Sequence, residues 1–115
     1  MNYVRELLKG NIQTLVLAVL SDAPRHGYGI SQEIVRRSGD ALSFGEGSIY
    51  PALHALEREG SILGAWETHH AGPARKVYRL TDQGTRELAA RKKTWSDFAR
   101  TIDHVIGGSP DAQPI

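Results

Sequence analysis

The sequence predicts a mainly α fold with one small β-hairpin, and three observations predict it. Apolar residues recur at helical spacing in three successive segments before residue 60. The period then shortens to that of strands on either side of a turn-rich stretch, His69-His-Ala-Gly-Pro-Ala74. Beyond Thr81 one long helical pattern runs to Gly107. A length of 115 residues fits a single domain. Three helices, a hairpin and a long fourth helix, in that order, make a winged helix-turn-helix followed by a C-terminal helix.

Taken in order, the first helix is expected over Asn11 to Leu20, almost wholly apolar and ended by Pro24. Apolar residues on all its sides predict a central core helix. Tyr28, Ile30, Ile34 and Val35 mark the second helix, closed by Gly39, since glycine enters the left-handed conformation without steric cost. Phe44 to Gly47 leads into a third helix expected from about Ser48 to Glu59 and stopped by Gly60. Strands are expected at roughly 62–68 and 75–81, with Thr81 as N-cap of the last helix. Residues 1–81 then form the winged domain, 82–107 the last helix, and 108–115 a disordered tail.

Composition excludes several classes of chemistry. The absence of cysteine rules out disulfides, thiolate zinc sites and thiol catalysis. No apolar run approaches the roughly 18 residues of a membrane span; Leu15 to Leu20 is only six long. Without a signal-peptide pattern at the N-terminus, an intracellular, cytoplasmic protein is expected. No GxSxG elbow, phosphate loop or HExxH pattern is present, so no enzyme and no cofactor are predicted. His69 and His70 point to opposite faces of a strand and lack an acidic partner at ligand spacing, so no metal is expected either. The formal net charge is only +1, yet Arg75 to Lys93 holds seven basic residues against Asp82 and Glu87. Such a segment suits either a polyanion or a solvated helix face.

In a winged helix the third helix enters the major groove of double-stranded DNA, and the wing touches the flanking backbone. Steps of 100° put Ile49, Leu53 and Leu56 on a core side. Pro51, His54, Ala55 and Arg58 face the other way, flanked by Ser48 and Tyr50. Ser48 and Tyr50 carry hydroxyls for phosphate, His54 can meet a base edge, and Pro51 is placed in the first turn, where its missing N–H loses no bond. No Lys or Arg lies between Gly47 and Glu57, so arginine-to-guanine contact is left to Arg58. On the wing, Arg75 shares a strand face with Val77 and Arg79, opposite Lys76, Tyr78 and Leu80. Arg75 and Lys76 are the expected phosphate contacts. The sparse charge on the third helix leaves a second reading open, a winged-helix module that binds protein and not DNA.

On the last helix Leu88, Trp95 and Ile102 recur every seven residues, with Phe98 and Val105 in the other seam position. That seam suits a two-fold homodimer interface, the alternative being a fold-back onto the chain's own domain. Trp95 beside Phe98 also offers a stacking surface to a flat aromatic ligand. Arg91, Lys92 and Lys93 are expected as a solvated collar around the tryptophan.

Three stretches resemble one family. Pro24-x-His26-Gly27-Tyr28-Gly29-Ile30 is similar to the opening of helix two in PadR-type transcriptional regulators. Gly47-Ser48-Ile49-Tyr50-Pro51-Ala52-Leu53-x-x-Leu56-Glu57-x-x-Gly60 resembles their recognition helix. Ala74-Arg75-Lys76-Val77-Tyr78-Arg79-Leu80-Thr81-x-x-Gly84 resembles their second wing strand and the turn that follows. The single last helix is similar to the short PadR subfamily. The resemblance implies a homodimeric repressor on an inverted-repeat operator. It places Ser48 and Tyr50 toward DNA, Arg75 and Lys76 on a basic wing, and Trp95 where some multidrug-sensing members hold an aromatic in a dimer-interface pocket.

Overall fold

The structure, a computed structural model, describes residues 5–69 and 71–107. Helices α1 (Arg5–Leu20), α2 (Gly27–Arg37), α3 (Glu46–Arg58) and α4 (Asp82–Ile106) are accompanied by a small antiparallel sheet. Its strands are β1 (Arg25–His26), β2 (Ile62–His69) and β3 (Gly72–Leu80), in the order β1-β3-β2. This is a winged helix-turn-helix with a C-terminal helix. The tail expected at 108–115 and the residue His70 lie outside the described residues.

The apolar run of α1 has the central place it predicts. Val16, Leu17, Val19 and Leu20 are buried, and α2, α3 and α4 all pack on this helix. Ile30, Leu53 and Leu56 close the core with no exposed surface, each contributing about 1.5–3 kcal/mol by burial. Helix α1 is described from Arg5, six residues before Asn11, and is longer than expected. Among the described residues no helix is long and apolar enough to cross a membrane.

Local chemistry ends the helices where the sequence indicates. At Gly39 (φ +60°) the amide of Asp40 donates to the Val35 carbonyl at 2.9 Å and that of Gly39 to Arg36 at 3.1 Å, a Schellman closure. Gly60 (φ +86°) repeats it on α3 through Ser61 N–H to the Leu56 carbonyl, 2.9 Å. Thr81 caps α4 as expected, its Oγ1 accepting from Gly84 N–H at 3.0 Å. The same hydroxyl donates to the Gly60 carbonyl at 2.7 Å, and Gln83 Nε2 donates to the Glu59 carbonyl at 2.7 Å. The start of α4 is thus stitched to the end of α3.

Several expectations need correction. Helix α3 starts at Glu46 because Gly45 is extended and its carbonyl already accepts from Ser48 and Ile49. Ser48 is therefore inside the helix, and Pro51 lies past the first turn, where its missing N–H leaves the Gly47 carbonyl without a helical donor. The wing strands run 62–69 and 72–80, longer than expected and leaving Thr81 free to cap. A third strand joins them: Arg25 pairs with Tyr78 and His26 with Val77, two residues being too few to show a strand period. Leu88 packs into the core at 5% exposed, while α4 runs on past the body and stretches the molecule to 57 × 31 × 21 Å.

Candidate nucleic-acid interface

Helix α3 is amphipathic in the sense predicted. Ile49, Ala52, Leu53 and Leu56 are buried, whereas Ser48, Tyr50, Pro51, His54 and Arg58 are exposed and Ala55 is half-buried. Tyr50 and His54 look toward the wing across a cleft of about 750 Å³, which Trp66, Arg75 and Lys76 close from the other side. Ser48 and Pro51 border a separate concavity on the opposite flank of α3, toward α1. The six candidate residues of this helix therefore form a ridge between two depressions. Tyr50 can lie flat because residue 27 is glycine: a Cβ there would stand 2.9 Å from the phenol oxygen.

The wing sorts its cations. Alternation holds, with Tyr78 buried on the inner face and Arg75 and Arg79 outside. Lys76, expected beside Arg75 as a phosphate contact, turns inward instead. Its Nζ lies 3.1 Å from Glu57 Oε1 and 5.4 Å from the centre of the Tyr78 ring. The Glu57 hydrogen bond raises the Lys76 pKa above the ordinary lysine value, and burial raises that of the Tyr78 hydroxyl. Glu57 Oε2 also accepts from Gly64 N–H at 3.3 Å. One carboxylate on α3 thus braces both long strands and holds the wing against the helix.

The basic run of the sequence does not form a single patch. Lys76, Arg79, Arg91 and Lys93 pair with Glu57, Glu67, Glu87 and Asp97. Arg91, expected in a solvated collar, also donates to Gln13 Oε1 at 2.9 Å and ties α4 to α1. Among the described residues, Arg58 on α3 and Arg75 on β3 have no acidic partner within salt-bridge distance. Nor do three His, Cys, Asp or Glu side chains gather there in a metal-binding group.

Along α4 the predicted seam divides. Leu88 belongs to the subunit's own core, correcting its assignment to the interface. Trp95, Phe98, Ile102 and Val105 are 52%, 54%, 40% and 80% exposed and form an open apolar stripe. Trp95 also borders an apolar groove of about 430 Å³ with Leu7, Leu15 and Leu42, and Phe98 does not line it. Sequence reasoning did not single out four residues that line or brace this cleft: His26 and Tyr28 in its lining, exposed Trp66, and Glu57. Only His26 had a usable signal, its place before a glycine at a helix start.

With this geometry in view, the model of the PadR-like transcriptional regulator family matches residues 16–90, from the core of α1 into α4. The chain belongs to the PadR-like family. It is accordingly a DNA-binding transcriptional regulator, in a family of regulators and not of enzymes, which decides against the DNA-independent module. Among curated relatives, the transcriptional regulator Rv3488 of Mycobacterium tuberculosis is 31% identical, over 91% of this chain and 92% of its own. A PadR-like regulator of Bacillus cereus has a similar structure, with TM-score 0.74, 30% identity, and 90% of this chain and 99% of that one covered. The smu.1704 protein of Streptococcus mutans is also similar, with TM-score 0.74 and 36% identity over 100% and 99% of the two chains.

Proposed function

We propose that this PadR-like chain is a homodimeric repressor of an inverted-repeat operator. The cleft between α3 and the wing carries the reading, since Tyr50 and His54 face it from the helix and the unpaired Arg75 from the wing. Ser48, Tyr50, Pro51, His54 and Arg58 enter the major groove, and Arg75 takes a flanking phosphate. Lys76 supports that contact through Glu57. With Arg58 on α3 and Arg75 on the wing as the cations there without an acidic partner among the described residues, affinity rests on two copies. The open stripe of Trp95, Phe98, Ile102 and Val105 supplies the dimer seam. Residues 1–81 are then the DNA-binding unit and 82–107 the dimerisation helix, acting in the cytoplasm on the nucleoid. A small flat aromatic ligand entering beside Trp95 and Phe98 would release the operator by shifting the angle between subunits.

A duplex selected from a randomised pool by the full chain tests this. Its log–log salt dependence should steepen by about 0.9 for every phosphate neutralised. Arg75→Glu should weaken all sequences alike, whereas His54→Ala should relax preference at one position per half-site by about 1–3 kcal/mol. Equal, weak binding of selected and random DNA would overturn the proposal. Trp95 emission, read in a Trp66→Phe background because Trp66 is itself 71% exposed, should respond to dilution and to a flat aromatic dye.

A further inference from the structure

His26 sits where β1 passes into α2, and its ring is fixed from one side. Nδ1 accepts from Gly29 N–H at 3.2 Å, which leaves the proton of the neutral ring on Nε2. The Tyr28 ring lies parallel to it, with 5° between planes and 6.4 Å between centres. Nε2 in turn points at Arg75 Nη1, 3.4 Å away. Both of these nitrogens carry hydrogen, so neither accepts from the other. Glu67, the cross-strand neighbour of Arg75, turns to Arg79 instead, at 3.6 Å. Two donors from two elements therefore converge at the cleft with no acceptor of the described residues between them.

We propose that His26 and Arg75 hold one DNA-backbone phosphate together, each donating to its unesterified oxygens. This rests on the DNA-binding reading above and adds a site to it. A phosphate oxygen fits between the two nitrogens at ordinary charge-assisted hydrogen-bond lengths of about 2.7–2.9 Å from each. Because His26 belongs to the start of α2 and Arg75 to β3, the shared phosphate fixes the wing relative to α2. The contact reads no base, so it sets register and orientation on the duplex.

The test uses the full chain and its selected duplex, with His26→Asn, Arg75→Gln and the double variant. Asparagine keeps an N-cap acceptor for Gly29; His26→Ser, another good cap, repeats the measurement should the first variant melt early. Each single change should weaken binding about tenfold per subunit. The double variant should be little weaker than Arg75→Gln alone. A neutral methylphosphonate at one position per half-site should cost the wild type a similar factor and cost either variant almost nothing. Additive losses, or His26 variants that bind like the wild type, would overturn the shared phosphate while leaving operator binding intact. A wild type without sequence preference would overturn both readings.

Discussion

Lys76 and Arg75 are neighbours of like charge with different tasks, because strand alternation points one at Glu57 and the other at solvent. Replacing Lys76 by Met should shift the denaturation midpoint only slightly, since solvent screens a partly exposed pair, and should leave the salt slope of DNA binding unchanged. Arg75→Ala should do the reverse, with the same denaturation midpoint and a shallower slope. Urea titration beside binding isotherms separates the two, and a reduced slope for the Lys76 variant would contradict the inward pairing. The sequence showed both cations but not their division of labour. That division depends on a carboxylate nineteen positions away, at a separation no local pattern encodes.

Between α1 and α2 the chain is tied by a charged knot. Arg37 bridges Glu33 at 2.7 Å and Asp22 at 3.0 Å, Arg36 reaches Glu33 at 2.6 Å, and Arg25 donates to the Val19 carbonyl at 2.9 Å. Hydrogen bonds from Arg36 and then Arg37 lower the Glu33 pKa from 4.5 to about 2. A folded pKa below the unfolded one stabilises the fold above pH 4.5, and that contribution disappears as the pH falls toward 2. Denaturant midpoints at pH 7 and pH 3 should therefore differ more for the wild type than for Glu33→Gln; equal acid sensitivity would count against the knot. Of this element pair the closing cap at Gly39 was readable, because capping is local, whereas the His26 N-cap of α2 was not read. The start of α3 was misjudged, since Gly45 caps with its backbone and offers no side-chain signal.

At the scale of the whole molecule, α4 leaves the body with its apolar stripe uncovered. Phe98→Lys places a charge on a half-exposed position, so it should barely alter the stability of the subunit. It should, however, convert the protein to a monomer in sedimentation experiments and remove most operator affinity. An unchanged sedimentation coefficient would refute the seam on α4.

The order of the four helices and two long strands, the central place of α1, the buried face of α3 and the cap at Thr81 were legible in the sequence alone. Each rests on a period or a cap, which contacts close in the chain dictate. Only the tertiary structure decided that Leu88 serves the core, that Lys76 and Arg91 are braces, and that β1 joins the wing. It alone brought His26 to Arg75 across forty-nine positions. Side-chain partners at that separation are chosen by packing, which also decides which cations of a near-neutral chain pair with acids.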